Sequence, residues 1–348
     1  MLLPLAAPPK SLCLLRLSAV GDITHTMPIV HTLRKYWPET QITWVIGKTE
    51  HSLVYDIPDI EFITFDKSKK WRAYLEYKKQ IRGRQFDVLL HMQMSLRSSM
   101  LNLLTPATIK LGFDKQRAKD MQWLFTNAKI AYKHEQHVID SFFGFTEALG
   151  IPEHEYSWDI PVPPEAQEFA QQHMSGKPAL VISPCSSMDY RNWNVAGYAA
   201  LADYAVKQYD MQVILTGGPS AIEQSYADEI SKKLNVPVTN LIGKTNLKEL
   251  LAILAVADVV IAPDAGPAHM ATAVGTPVIG LYATTNPDRA RPYLSEKYTV
   301  NRYPEAIRDK FNQAVAAVPW GTRVRDAGTM DRISVKDVTD KLDLLMQK

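Results

Sequence analysis

Short apolar runs alternate with stretches of helical spacing along this 348-residue chain, and the alternation occurs in both halves. In the first half, the segments 25–37, 67–84 and 141–149 predict helices, and the apolar runs predict strands at 11–17, 41–46, 60–65, 86–91 and 110–113. Most of these runs are apolar at consecutive positions, which is typical of strands buried on both faces of a parallel sheet. The first half therefore predicts an α/β domain built from βαβ units.

The second half repeats this alternation after a proline-rich segment, 151–164, that we interpret as a linker or hinge. It predicts a short helix near Pro267, helices at 195–208, 221–234 and 247–255, and strands at 179–182, 212–215, 259–262 and 277–281. We predict two facing Rossmann-like domains with parallel sheets, 1–160 and 161–348, and leave open that a C-terminal helix packs back on the first. Ligands are expected between them, beyond the carboxyl ends of the strands.

Composition limits the function classes. The formal net charge of +2 provides no global field for a nucleic-acid binder, so we predict no nucleic-acid partner. No apolar run approaches the ~20 residues of a membrane-spanning helix, and residues 1–9 make a poor signal peptide. We expect a cytoplasmic protein that is compatible with peripheral association with a membrane. Cys13 and Cys185 adjoin apolar runs and are interpreted as packing residues, and the histidine spacing predicts no metal site.

The strongest local signal is the run Pro263-Asp-Ala-Gly-Pro-Ala-His269, which lies between a predicted strand and a predicted helix. Gly266 allows a close backbone approach, and Pro267 fits a first helical turn. The positive end of that helix suits a diphosphate, to which His269 could donate a hydrogen bond. The alternative is that Asp264 only caps the helix and that His269 is a core residue.

Two further groups of residues suit charge chemistry. Ser186 and Ser187, followed by Arg191, supply hydroxyls and a cation for a phosphate, or else a helix cap and a surface arginine. Asp22 lies on a predicted turn after the first strand, where a carboxylate could act as the base that accepts a proton from an acceptor hydroxyl. Its position equally fits an N-cap of the following helix.

Cations are concentrated in the first half, where Lys69, Lys70 and Arg72 surround Trp71. Arg97 and Arg117 could belong to the same surface. An acidic acceptor or an anionic membrane would explain such a cluster. A solvated helix face explains it nearly as well.

Together the motifs resemble glycosyltransferase family 9, the lipopolysaccharide heptosyltransferases. The resemblance rests on 16–28 (Arg-Leu-Ser-Ala-Val-Gly-Asp-Ile-Thr-His-Thr-Met-Pro) and 264–269 (Asp-Ala-Gly-Pro-Ala-His), with Thr276-Pro277, Thr284 and Pro287 following at the family's spacing. It implies a GT-B fold whose first domain binds the acceptor and whose second domain binds the nucleotide sugar. It also implies an ADP-heptose co-substrate, inversion at the anomeric carbon, and no metal or other cofactor.

The resemblance also implies residue roles. Asp22 falls where the family places its candidate base. The donor would be bound by matching or nearby positions, Ser186, Ser187, Arg191, Glu223, Asp264, Ala265, Gly266 and His269. Ala265 is often threonine or serine in the family, so its backbone N–H would have to serve. The acceptor would meet Lys69, Lys70 and Arg72.

We therefore predict a glycosyltransferase that moves heptose from ADP-L-glycero-D-manno-heptose to the Kdo of the lipopolysaccharide inner core. Its partners would be this donor and a Kdo-lipid A type acceptor at the cytoplasmic face of the inner membrane. Three alternatives stay open: a later heptosyltransferase or another nucleotide-sugar transferase of the same family, a nucleotide-sugar epimerase, and a non-catalytic nucleotide-sugar-binding module.

Overall fold

The computed structural model describes residues 3–347, so Met1, Leu2 and Lys348, at the outer ends of the two predicted domains, lie outside the described residues. The chain divides into two compact units between Pro161 and Val162, next to the boundary predicted from the prolines.

The first unit is a six-stranded parallel sheet with helical connections. Its elements are β1 (Ser11–Leu15), α1 (Val20–Tyr36), β2 (Gln41–Gly47), α2 (Lys48–Val54), β3 (Ile60–Phe65), α3 (Trp71–Ile81), β4 (Phe86–His91), α4 (Leu96–Leu104), β5 (Ala107–Gly112), β6 (Ala128–Lys129) and α5 (Val138–Leu149). The strand order is β3-β2-β1-β4-β5-β6, with every pair parallel. This is a doubly wound, Rossmann-like order, in which the chain reverses direction across the sheet between β1 and β4.

The core of the first unit explains why α3 and α4 lie together. Cys13 and Leu15 of β1 pack in one buried cluster with Tyr77 of α3 and Leu101 of α4. Alternate residues of a strand face the same side of a sheet, so these two helices cover the side that Cys13 and Leu15 present. α3 and α4 also contact each other, while α1 packs with α5.

The proline-rich segment is not a free linker along most of its length, which corrects the prediction for 151–164. α5 ends as predicted at Gly150, whose φ of 108° is the left-handed cap conformation. Beyond it, the carbonyl of Trp158 lies 2.8 Å from His31 Nε2, and Glu155 N–H donates to Thr32 Oγ1 at 3.0 Å. The apolar side chain of Trp158 is buried as well, so this stretch is packed within the first unit.

The second unit repeats the same topology. Its elements are α6 (Pro164–Gln172), β7 (Ala179–Ile182), α7 (Val195–Tyr209), β8 (Gln212–Leu215), α8 (Ala221–Lys233), β9 (Thr239–Asn240), α9 (Leu247–Ala255), β10 (Val259–Pro263), α10 (Gly266–Ala273), β11 (Val278–Tyr282), α11 (Pro287–Ala290), β12 (Val300–Asn301), α12 (Tyr303–Phe311) and α13 (Val335–Met346). The strand order β12-β11-β10-β7-β8-β9, again parallel, reverses between β7 and β10.

The C-terminal helix α13 packs within the second unit, in contrast to the possibility that it returns to the first. Val338 and Leu342 are fully buried in the same core cluster as Leu201 of α7 and Ile230 of α8. The apolar face of this helix is therefore used by its own unit.

Two smaller predictions concern burial and length. Cys13 and Cys185 are both buried and form no disulfide, as the packing interpretation requires, and burial raises the pKa of the Cys185 thiol to about 12. Within residues 3–347, none of the helices has the length and apolar character that crossing a bilayer demands.

Candidate functional site

The switch point of the second unit gathers most of the predicted donor residues. β7 and β10 are neighbours in the sheet, and the chain leaves their carboxyl ends toward opposite sides. Arg191 follows β7, and Asp264 follows β10 directly. The two side chains meet: Arg191 Nη1 lies 3.2 Å from Asp264 Oδ2 and donates to the Asp264 carbonyl at 3.1 Å.

The electrostatics of Asp264 keep it ionised. Burial acts to raise the pKa of its carboxyl, but the neighbouring His269 imidazole and the charge of Arg191 outweigh burial, so the pKa is lowered. His269 Nε2 lies 3.8 Å from Asp264 Oδ1, on the first turn of α10. A buried cation, a carboxylate and an imidazole therefore share the positive end of one helix, which is a setting for an anionic ligand.

The start of α10 matches the predicted loop. Gly266 is the first residue of the helix, and its N-cap, Ala265, is extended and has no side-chain oxygen to cap it. Pro267 lies in the first turn, as predicted. No side chain of the N-cap residue therefore occupies this helix end, and donor binding by the backbone of Ala265 stays a prediction.

The two predicted serines differ in their surroundings. Ser186 is bound locally: its hydroxyl donates to the Met188 carbonyl and accepts from the Met188 N–H, both at 3.0 Å, and its own N–H donates to Asn192 Oδ1. Ser187 is exposed. A phosphate would therefore meet Ser187 more readily, since the hydroxyl of Ser186 already serves a turn.

Glu223 supports the glycine turn that follows β8. It accepts hydrogen bonds from Gly218 N–H at 2.7 Å and from Ser220 Oγ at 2.6 Å, in the first turn of α8. A Cβ on Gly218 would come within 2.9 Å of this carboxylate, so the glycine allows the close approach. The ribose-binding role of Glu223 stays a prediction beside this structural role.

Sequence reasoning missed several residues that border this site. Thr285 helps to lower the pKa of the Asp264 carboxyl, and its backbone forms an isolated bridge with Arg323. Tyr190 lies beside two cations, with Arg191 at 5.7 Å and Arg325 at 5.9 Å from its ring centroid. Thr285 lies within the stretch noted at Thr284 and Pro287, whereas nothing in the sequence links residue 325 to a loop more than a hundred positions earlier.

The switch point of the first unit holds Asp22 at a position in α1 that differs from the predicted turn and from the predicted N-cap, while its role as base stays a prediction. Asp22 is neither on a turn nor an N-cap: α1 begins at Val20 after the N-cap Ala19, so Asp22 is the third helical residue. Its carboxylate accepts from Ala19 N–H at 3.2 Å and is ion-paired with Arg16. Arg16 is buried at the end of β1 and donates to the Met92 carbonyl beyond β4 at 2.5 Å. The side chain of Asp22 remains 35% exposed, which leaves it accessible to a ligand.

His91, the last residue of β4, is expected to make the free energy of unfolding depend on pH. Burial lowers the pKa of its imidazole from 6.5 to about 3, with a further contribution from the charge of Lys110. The unfolded chain therefore binds one more proton between these values, so stability is complete above about pH 6.5 and falls as the pH falls toward 3. At ~1.4 kcal/mol per unit, wild type should lose about 2 kcal/mol between pH 7 and pH 5 that His91→Gln does not lose. Urea unfolding at the two pH values measures this, with the exposed His134→Gln as control; equal losses for wild type and His91→Gln would contradict it.

The predicted acceptor-binding cations differ in their surroundings, and some of them already contact neighbouring side chains. Lys69 Nζ pairs with Glu76 at 2.8 Å, and the Arg72 guanidinium lies 5.8 Å from the Trp71 ring. Lys70 precedes α3 as its N-cap, with a φ of 51°, and Arg97 is exposed on the first turn of α4.

Arg117 is a structural residue, which corrects its assignment to the basic surface. Its three guanidinium nitrogens bind Asp114, Gln136, Ser141 and the Ala131 carbonyl. The side chain is only 19% exposed because it ties these loops together.

The sequence is similar to known glycosyltransferases. The family model "Glycosyltransferase family 9 (heptosyltransferase)" matches residues 74–316. Over 338 residues, covering 97% of both chains, the sequence is 40% identical to the lipopolysaccharide core heptosyltransferase OpsX of Haemophilus influenzae. The chain belongs to glycosyltransferase family 9. It is also 26% identical to lipopolysaccharide heptosyltransferase 3 of Escherichia coli, over 78% of this chain and 82% of that protein.

Solved structures agree on the fold. A glycosyl transferase of family 9 from Veillonella parvula superimposes with a TM-score of 0.79 at 20% identity, covering 97% of each chain. Escherichia coli heptosyltransferase WaaC, solved with ADP-2-deoxy-2-fluoro heptose, gives 0.71 at 18% identity, covering 96% of this chain and 99% of that one. The predicted GT-B type of α/β fold is thus confirmed, and as a family 9 member this protein is a glycosyltransferase. Within residues 3–347, no group of three or more His, Cys, Asp or Glu is placed to bind a metal ion, and the metal-free mechanism stays a prediction.

Proposed function

We propose that this glycosyltransferase transfers heptose from ADP-L-glycero-D-manno-heptose to the Kdo of the lipopolysaccharide inner core, with inversion and without a metal ion. It would act in the cytoplasm, at the cytoplasmic face of the inner membrane. The observation that carries the proposal is the Arg191–Asp264–His269 cluster at the start of α10. Support for the substrates comes from the named core heptosyltransferase at 40% identity and from a structural neighbour solved with an ADP-heptose analogue.

The donor half of the mechanism concerns the leaving group. As the bond between the anomeric carbon and the diphosphate oxygen breaks, negative charge builds up on the departing ADP. The Arg191 guanidinium, held by Asp264, and the positive end of α10 would stabilise that charge without reorganising. His269 would donate a hydrogen bond to a phosphate oxygen. Together these fixed charges would neutralise the leaving diphosphate, as a metal ion does in other transferases.

The acceptor half concerns a proton. A hydroxyl oxygen of the Kdo attacks the anomeric carbon from the side opposite the diphosphate, so a single displacement inverts the configuration. The hydroxyl proton passes to the Asp22 carboxylate, which Arg16 and the Ala19 N–H hold in one orientation. Lys69, Lys70 and Arg72 would attract the acidic sugar to this unit.

A later heptosyl transfer is the second candidate. It is favoured by one observation: the 40%-identical relative is named only as a core heptosyltransferase, and another relative is named heptosyltransferase 3. The chemistry of Arg191 and Asp22 would be unchanged, and only the acceptor would differ.

The test is an acceptor panel with ADP-heptose as donor. We expect ADP release and a heptosylated product with Kdo-lipid A, and little of either with an acceptor that already carries the first heptose. Donor alone should yield neither ADP nor an epimer. Transfer only to the heptosylated acceptor would establish the later step instead, whereas turnover of donor alone would indicate an epimerase. ADP binding with no turnover on any acceptor would leave a binding module.

A further inference from the structure

The exposed face of α4 is apolar, which reverses the usual arrangement of a surface helix. Leu96, Met100 and Leu103, spaced along one side of the helix, are 59%, 44% and 55% exposed. The opposite side buries polar residues, among them Ser98 and Asn102. A helix in a soluble protein normally directs its apolar stripe inward, so this one has an apolar face without a partner in its own fold.

Elements that contact α4 also expose apolar side chains. On α3, which contacts α4, Trp71 is 65% and Leu75 50% exposed, one helical turn apart. On the other side, the Asn102 side chain donates to the Phe125 carbonyl and so joins α4 to the short 3₁₀ turn at Gln122–Leu124, where Leu124 is also exposed. Together these neighbouring elements expose the apolar residues Trp71, Leu75, Leu96, Met100, Leu103, Met121 and Leu124, which are called the apolar surface below.

Cations border this apolar surface. The Arg72 guanidinium lies beside the Trp71 ring, and the Nζ atoms of Lys115 and Lys129 lie 5.1 and 6.0 Å from the Trp123 ring centroid. The segment 66–84, which contains α3, carries eight Lys or Arg residues against two acidic ones. Exposed apolar side chains bordered by basic residues and tryptophans are the composition of elements that lie in the interface of an anionic membrane.

We infer that the α3–α4 face of the first unit docks on the surface of an anionic phospholipid bilayer. The side chains of Leu96, Met100 and Leu103 enter the boundary between headgroups and acyl chains, and the bordering lysines and arginines contact lipid phosphates. A second protein molecule fits less well, because the cationic border would repel its own copy. Docking itself does not depend on the proposed function. The proposed function only explains why the protein would dock, because a lipid A acceptor is held in a membrane.

The direct test is sedimentation of the full-length protein with vesicles. Wild type should bind vesicles of phosphatidylethanolamine with phosphatidylglycerol at least tenfold more tightly than vesicles of phosphatidylcholine alone, and high salt should weaken that binding. The triple variant Leu96→Gln, Met100→Gln, Leu103→Gln should lose at least tenfold in binding. A matched triple, Leu294→Gln, Phe311→Gln, Leu344→Gln, removes equally exposed apolar residues from the second unit and should bind as wild type does.

Several outcomes would overturn the inference. Equal vesicle binding by the α4 triple and wild type would do so. So would wild type that binds anionic vesicles no more tightly than neutral ones. An α4 triple whose only change is a smaller oligomer in gel filtration would also contradict it. Thermal unfolding of each variant excludes a folding defect, and Leu75→Gln, on a different helix, provides an independent decrease in binding.

A second measurement separates this surface from the proposed function. The α4 triple should transfer heptose normally to a water-soluble, deacylated acceptor and lose at least tenfold in rate on acceptor embedded in vesicles. Absence of transfer by wild type on both acceptors, with vesicle binding intact, would reject the proposed function and leave the docking surface standing. Equal rates of wild type and triple on embedded acceptor would reject the docking surface alone.

Discussion

Asp22→Asn is expected to lower the rate of heptose transfer by about 10²–10⁴-fold while leaving ADP binding unchanged, because a carboxamide cannot accept the acceptor proton. The asparagine oxygen can still accept from the Ala19 N–H, so the start of α1 should keep its cap. Steady-state kinetics with Kdo-lipid A measures the rate, and calorimetry with ADP measures the donor site. Asp22→Ala should lose the same activity and also the cap. Near-normal turnover by either variant would remove Asp22 from the role of base.

The chain supplies a matched control for this prediction. Asp337 occupies the same position in α13 that Asp22 has in α1: it is the third helical residue, accepts from the backbone N–H of the N-cap Ser334, and is paired with Arg302. Asp22→Asn leaves the buried Arg16 without its carboxylate, whereas Arg302 keeps Glu305 as a partner, so both variants should lower the melting temperature and Asp337→Asn should lower it less. Only Asp22→Asn should abolish transfer. If Asp337→Asn lowered the rate equally, the effect at Asp22 would be one of stability.

The strands were predictable because burial on both faces leaves an unmistakable signature. The predicted runs at 86–91, 179–182 and 212–215 coincide with β4, β7 and β8. Consecutive apolar residues bounded by turn residues admit few other structures at that length. The short edge strands β6, β9 and β12 have two residues each and carry no such pattern.

Helix α4 and the start of α1 were not predicted from hydrophobic periodicity. α4 exposes Leu96, Met100 and Leu103 and buries its serines beside Leu101, so no inward apolar stripe indicated it. α1 begins earlier than predicted because Asp22 turns back to the Ala19 N–H and so stabilises a first turn that contains Gly21. Both features depend on contacts that a one-dimensional pattern does not contain.

The sequence could indicate which residues of the candidate site lie near one another, but it could not show how they pair. Parallel topology alone brings loops after β7 and β10 together, so the sequence could assign Arg191 and Asp264 to one edge. It could not show that they form an ion pair, nor that Arg117 is taken up by four partners within its own unit. The apolar surface around α4 likewise required exposure, which only the folded chain defines.

Arg191→Gln is expected to lower kcat/KM for ADP-heptose by about 10²–10³-fold, because it removes a fixed cation from the point where charge develops on the leaving diphosphate. Arg191→Lys should retain part of the activity, because the positive charge remains while the planar guanidinium, whose Nη1 contacts both the carboxylate and the backbone carbonyl of Asp264, is lost. The KM for the acceptor should not change. Initial rates with each substrate varied in turn would measure these effects.

A comparison of ADP with adenosine separates ligand binding from structural damage. If Arg191 holds the diphosphate, Arg191→Gln should weaken ADP binding at least tenfold and leave adenosine binding nearly as it is in wild type, because adenosine has no phosphate to lose. If Arg191 instead serves mainly to satisfy the buried Asp264 carboxylate, its loss should disturb the loop before α10 and weaken both ligands alike. An equal loss for the two ligands would therefore indicate that Arg191 maintains the structure of the site. His269 and the start of α10 would then be the groups that stabilise the charge on the leaving diphosphate.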